Sequence, residues 1–395
     1  MLINQVLLKQ RIPVIYVLFV ALFTSANSYA ASASQKNSAF NPAIGLILNG
    51  TYVQFSQDPD NYSLPGFPID MESTPGTSGF SLGESELNIS SNIDTDWYGA
   101  VTIAMSGDGE FSVENAFIQS TGLGSGFTIK GGRFFSGIGY LNEQHAHTWD
   151  FVDTALAYRA LLGTQYGDDG VQVRWLAPTD LFTEIGAEWM RGDAFPGAGA
   201  KSGHAAWSAF IHLGGDVGIS HSWAAGLSYL STKSTNRETG NTDLFTGTSK
   251  IMIASLVWKW APNGNASNRN FKLQAEYLLS KNDGQFTPAG GIATPYSATP
   301  DGWYIQSIYQ FKPRWRTGFR HDHLNADSPV SGFTGTVLDD QNHNPVRNSL
   351  MLEYSNSEFS RFRLQYSRDE SRPNADNQWF LQYIVSMGAH GAHTF

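Results

Sequence analysis

Along most of the chain apolar and polar residues alternate one for one, the period at which successive side chains point to opposite faces of a β-strand. Trp379, Leu381, Tyr383, Val385 and Met387 alternate with Gln378, Phe380, Gln382, Ile384 and Ser386, and the same parity continues to Phe395. Similar runs cover 43–55, 80–92 and 97–105, separated by a long polar segment with Asp58, Asp60 and Pro65 and by a tight Asp94-Thr95-Asp96 turn. Further turn formers cluster at Gly122-Leu123-Gly124, Pro178-Thr179-Asp180, Gly214-Gly215-Asp216, Asn263-Gly264-Asn265, Pro313-Arg314 and Asn356-Ser357-Glu358. Longer segments lie between them, at 136–168, 193–204, 231–247, 282–301, 324–345 and 368–377. Short turns at one end and long loops at the other are the pattern of a transmembrane barrel with short periplasmic turns. The expected fold is all-β: one transmembrane antiparallel β-barrel of about sixteen strands, an even number as such barrels require.

The first thirty residues read differently. Lys9 and Arg11 precede an apolar run from Ile12 to Phe23, and Ser28-Tyr29-Ala30 supplies a small-x-small cleavage site, so 1–30 is expected to be a signal peptide and 31–395 the barrel. Composition agrees: charged residues are 15% of the chain, against about 25% in soluble domains. Aromatic residues reach 13%, and there is no cysteine, so closure of the barrel is left to hold an exported chain together. The net charge of −10 argues against nucleic acid as a partner. The expected partners are outer-membrane lipid, lipopolysaccharide and the barrel assembly machinery. Phe395, closing an alternating strand, resembles the C-terminal assembly signal of outer-membrane barrels.

Strand parity sorts the charged residues. Phe271, Leu273, Ala275, Tyr277 and Leu279 form an apolar face, which leaves Lys272, Gln274 and Glu276 inside. The same sorting turns Glu84, Glu86, Glu114, Lys130, Arg174, Glu184, Glu188, Arg316, Arg320, Arg361 and Arg363 inward, with Glu353 between the last two arginine-bearing strands. Charges facing lipid near the midplane would cost about 2–4 kcal/mol each, so a hydrated lumen accommodates them. Acids come mostly from the first half and arginines from the last strands, which leaves two arrangements open. A basic wall faces an acidic one across the lumen, or the charges pair locally and brace the wall.

The segment 136–168 is too apolar for a surface loop and too irregular for a strand, and carries Tyr140, His145, His147, Trp149, Asp150 and Asp153. It is expected to fold inward as a constriction loop, with His145, His147, Asp150 and Asp153 at the narrowing. Its flanks, Val113-Glu114-Asn115-Ala116-Phe117-Ile118 and Phe127-Thr128-Ile129-Lys130-Gly131-Gly132-Arg133-Phe134, resemble the phosphate-selective porin family. The His-Ala-His run followed by Trp-Asp-Phe-Val-Asp is similar to that family's uncharacterised relatives, some labelled zinc-regulated outer-membrane receptors. The resemblance implies a porin-type barrel and a homotrimer; phosphate selectivity does not carry over, because Arg159 is the loop's only basic residue.

The expected function is therefore passive diffusion of small hydrophilic solutes or ions, with a ligand- or metal-binding uptake receptor as the alternative. His321 and His323 share one strand face, so with His145 and His147 they are candidate weak metal ligands. The chain has no Gly-x-Ser-x-Gly elbow, His-Glu-x-x-His or P-loop, so neither enzyme chemistry nor a resident cofactor is expected.

Overall fold

A computed structural model describes residues 42–69, 73–107, 109–198, 206–239, 242–327 and 332–388. The segment 1–30, expected to be a signal peptide, and Phe395 lie outside the described residues. β1 (Ala43–Gln54) pairs with two successive pieces, Gly79–Leu82 and Ser85–Asn92, which together form one barrel strand, β2. Then follow β3 (Trp97–Met105), β4 (Phe111–Ser120), β5 (Phe127–Phe135), helix α1 (Leu156–Leu162), β6 (Gly167–Leu176), β7 (Phe182–Met190) and β8 (Ala206–Val217). Three long strands come next: β9 (His221–Glu238), β10 (Leu244–Trp260) and β11 (Asn270–Thr287). The pieces Thr294–Ala298 and Asp301–Lys312 both pair with β11 and make β12. The circuit continues through β13 (Trp315–Asn325), β14 (Val346–Ser357), β15 (Ser360–Glu370) and β16 (Asp376–Gly388). β16 closes on β1 in antiparallel register from Gly45 opposite Gly388 to Gln54 opposite Trp379, giving a closed sixteen-strand barrel.

Alternation decides which face meets lipid. On β16, Trp379, Leu381 and Tyr383 are exposed while Gln378, Phe380, Gln382 and Ile384 are buried. Two aromatic belts mark the edges of the outer band, as expected of a membrane barrel. Near the short turns stand contacts such as Phe127 with Trp175, Trp258 with Phe271, and Phe362 with Tyr383. Nearer the long loops are Trp207 with Tyr229 and Tyr366 with Trp379. On β11 the belts are represented by Phe271 and Tyr277, about 20 Å apart along the strand.

Several expected connections are strand instead. The segments expected as loops at 231–247 and 282–301 are mostly the upper ends of β9 to β12, joined by short turns. There Thr232, Ser234, Thr246, Thr248, Asn282 and Asp283 still pair across the ladders. Above the lipid band an outward polar side chain costs nothing, so the apolar half of the alternation disappears while the hydrogen-bond ladder continues. The turn expected at 214–216 is the end of β8, which runs to Val217 before the chain reverses at 218–220.

Two bulges bend the wall, one on the β1–β2 ladder and one on the β3–β4 ladder. On β2, three residues separate Leu82 from Glu86 where β1 has two between Gly50 and Ile47, and Ser85 and Glu86 are both buried. On β4, Glu114 is the extra residue between Asn115, opposite Thr102, and Val113, opposite Ile103. An inserted residue re-aims the side chains around it.

The core lies inside the barrel. α1 is the Ala- and Leu-rich run Leu-Ala-Tyr-Arg-Ala-Leu-Leu, stopped by Gly163 at φ 64°, the left-handed position that favours glycine after a helix. All seven of its residues are buried. They pack with Ile138, Leu141 and Trp149, with Ile251, Ile253, Leu278 and Tyr304 of the wall, and with Tyr62, Leu64, Phe67 and Ile69 from the connection after β1.

Candidate functional site: the loop inside the barrel

The chain between β5 and β6 leaves the wall at Ser136 and crosses the lumen, meeting strand after strand. At its start, Glu188 of β7 accepts the Gly137 amide at 2.9 Å and the Ser136 hydroxyl, and Gln172 and Ser208 also donate to it. Arg174 pairs with Glu143 of the loop and with Glu184 at 3.2 Å. Glu276 of β11 receives the Tyr140 and Leu141 amides at 2.7 and 3.2 Å, the Tyr158 hydroxyl at 2.9 Å and the Tyr304 hydroxyl at 2.5 Å. Four donors on one buried carboxylate make it a bracket for the loop.

Farther round the wall, from β11 to β15, the arginines take hold. Asp150 lies between Lys272 and Arg316, the latter at 3.3 Å, and Arg316 also binds Glu353 at 2.6 Å. Arg320 reaches Asp153 at 3.0 Å and Asp322 at 2.9 Å. Arg347 joins Asp153 at 2.5 Å, Asp322 at 3.4 Å and the Thr154 carbonyl at 2.6 Å. Arg363 donates to Glu353 and to the Trp149 carbonyl, while Arg361 stands 3.9 Å from Glu353. Burial alone would raise the Asp150 carboxyl; the charges of Lys272 and Arg316 outweigh it and bring it down to about 2. Asp153 is likewise held below the ordinary carboxylate range, burial being outweighed by Arg347 and Arg320. Asp322 also accepts the Leu156 amide at 2.9 Å, so a wall residue caps α1.

The third side is acidic. His145 and His147 stand against β2 and β4: His147 Nδ1 is 2.6 Å from Glu86, and His145 Nδ1 is 2.9 Å from Glu114 and 3.3 Å from Glu86. Lys130 lies over the rings of Phe117 and Phe134.

The fourteen wall residues expected in the lumen lie on the inner side of the wall, and ten of them form ion pairs, several with the loop that crosses between the walls. Strand parity overlooked Arg347 and Asp322, although each shares the parity of a residue it had selected, Glu353 and Arg320. His321 and His323 do not join His145 and His147. They occupy the outward face of β13, against Trp303 of the aromatic belt, and His321 Nδ1 is 2.8 Å from Asn348 Oδ1. Two-residue spacing places side chains on one face without saying which, and here it is the lipid-side face.

Two cavities share no lining residue, and the first is bordered by the loop. The one toward the short turns has a volume of about 1360 Å³ and is bordered by Lys130, Glu143, Asp150, Lys272, Arg316 and Arg361, among others. The other, about 720 Å³, lies among the long loops, beside Tyr62, Leu64, Phe67, Asp243 and Val337.

No family model matches the chain. An uncharacterized protein of Aquifex aeolicus is 30% identical over 92% of this chain and 81% of its own length. The two chains belong to one family. Among solved structures, OmpT of Vibrio cholerae in its trimer form superposes with a TM-score of 0.56 at 11% identity, over 88% of this chain and 99% of that one. The anion-selective porin from Comamonas acidovorans superposes with a TM-score of 0.55 at 9% identity, over 88% of this chain and 99% of that one. The fold is that of outer-membrane porins, and the barrel is of the outer-membrane kind.

Proposed function

We propose that the protein is a passive diffusion channel of the outer membrane for small hydrophilic solutes or ions, constricted by the loop 136–166. The observation that supports this reading is the charged vestibule of about 1360 Å³ that leads from the short-turn end to the loop. A polar cavity within a closed barrel lets solutes shed little of their hydration on entry. Five basic side chains, Lys130, Lys259, Lys272, Arg316 and Arg361, line it against the acids Glu143, Asp150 and Asp216, which favours anions. Phosphate selectivity is not part of the proposal, since Arg159 is buried in α1 against Tyr62.

Single-channel recording in planar bilayers is the test. Small conductance steps without added ligand are expected, with a reversal potential on the anion side that moves toward cations in Lys130→Gln and Arg361→Gln. Arg320 and Arg363 are unsuitable for this purpose because they hold the loop. A barrel that inserts yet stays silent would favour the closed, ligand-binding receptor. We propose a homotrimer as the assembly, on the precedent of the trimer form of the Vibrio cholerae barrel; native mass measurement of three chains would support it.

A further inference from the structure

Around the loop, Glu143, Asp150, Asp153, Glu184, Asp322 and Glu353 pair with arginine or lysine, and Glu188 and Glu276 each accept four hydrogen bonds; one acidic group is held differently. Where the loop passes β2 and β4, Glu84, Glu86 and Glu114 converge, and among the described residues the ion-pair partners of Glu86 and Glu114 are His145 and His147. Glu86 is fully buried. Glu84 Oε1 and Glu86 Oε2 are buried without a hydrogen bond, although Glu86 Oε2 has His145 Nδ1 at 3.3 Å. Glu84 adds its carboxyl beside those of Glu114 and Glu86. Burying three carboxylates together is costly unless a cation balances them.

The backbone is shaped to bring them together. The bulge before Glu86 and the bulge at Glu114 re-aim side chains on two strands separated by β3. Between them β3 offers Ala104, opposite Glu86, too small to fill the space. One ligand atom each from Glu86, Glu114 and His145 lies within 4.8 Å of the others.

We propose that Glu86, Glu114 and His145 bind a divalent first-row transition-metal ion, with His147 or Glu84 completing the coordination and the ion tying the loop to the wall. Two carboxylates and an imidazole suit such an ion, whereas calcium takes six to eight oxygens. The second ring nitrogen has a partner: Asn115 Nδ2 donates to His145 Nε2 at 2.9 Å while its Oδ1 accepts from the Phe135 amide. That leaves the ring proton on Nδ1, toward Glu114. When Nδ1 takes the ion, this proton moves to Nε2, and Asn115, turned over about its amide, accepts it in exchange for giving up the 3.3 Å bond from the Phe135 amide; a hydrogen bond of this kind orients metal-bound imidazoles. His145 and Asn115 border the large vestibule, which gives the ion a way in. The inference goes beyond conduction and holds for an open or a closed barrel.

The test is calorimetric titration of the full-length folded barrel in detergent, freed of metal by chelator, with zinc chloride. One zinc per chain is expected, weakened at least about tenfold in Glu86→Gln, Glu114→Gln and His145→Ala. His321→Ala and His323→Ala, altered on the outer face, should bind as the parent does. Heat-modifiable gel mobility checks that each variant folds. Should the carboxylate variants fail to fold, the parent and His145→Ala loaded with Cu²⁺ decide by electron paramagnetic resonance. Nitrogen hyperfine structure in the parent that loses the contribution of one nitrogen in His145→Ala supports the site. A spectrum without nitrogen coupling, no saturable zinc binding by the parent, or equal loss in the His321 variant overturns it.

Discussion

Asp153 shows how much of the loop's position depends on single side chains. Its carboxylate meets Arg320 and Arg347, and Arg347 is wholly buried. Asp153→Asn leaves the buried guanidinium half-matched, a loss on the order of 3–5 kcal/mol by analogy with broken buried pairs. The expected outcome is a loop that leaves its seat while the barrel persists: protease cuts within 136–166, and heat-modifiable mobility is kept. Asp150 gives the acid limit. Its carboxyl is depressed to about 2, so its contribution, on the order of 2 kcal/mol, is present above the ordinary carboxylate value near 3.9 and is lost as pH falls toward 2. Trp149 fluorescence, reporting loop seating, should therefore stay level from pH 7 to 4 and change only below about pH 3. Period-two alternation made Arg316, Arg320, Arg361 and Arg363 legible as inward residues. It also offered Glu353 as a local partner, which pairs with Arg316, Arg361 and Arg363, and was silent on the loop partners of Arg316 and Arg320, because Asp150 and Asp153 reach these two across the lumen from more than 160 positions away.

The strands were legible and the elements that break their rule were not. Trp379 to Met387 announces itself because lipid demands an apolar residue at every second position. At the tops of β9 to β12 the outward face meets water in place of lipid, and the inward Thr232 and Ser234 are buried polar residues, so Thr232-Lys233-Ser234-Thr235 reads as loop although it pairs as strand. The inward fold of 136–166 was visible in its apolar content. The contribution of Tyr62, Leu64, Phe67 and Ile69 to the same core was hidden in a segment that also carries Asp58, Asp60 and Pro65. At this scale the loop can be removed as a unit. Replacing 141–163 by a short Gly-Ser linker should raise single-channel conductance several-fold, since it takes α1 and the Asp150 and Asp153 anchors out of the lumen. Unchanged conductance would mean that solutes pass by a route the loop does not obstruct.

For the molecule as a whole, closure is made by β16 on β1. Substituting Phe395 or deleting the residues after Gly388 is expected to lower the yield of folded barrel, read as heat-modifiable protein in membranes, while conductance per folded channel stays the same. Closure also sets the order in which the molecule can be built. The loop's contacts run forward to Gln365, 213 positions beyond Val152, and back to Glu86, 61 positions before His147. Contacts so distant along the chain form late, because the intervening segments must first be ordered. Until β15 stands beside β14, the Asp153 carboxylate lacks part of its seat, and until β2 is in place the histidines lack theirs. The loop therefore settles last, as a keystone does, and a nascent barrel passes through a hollow stage before its interior is filled.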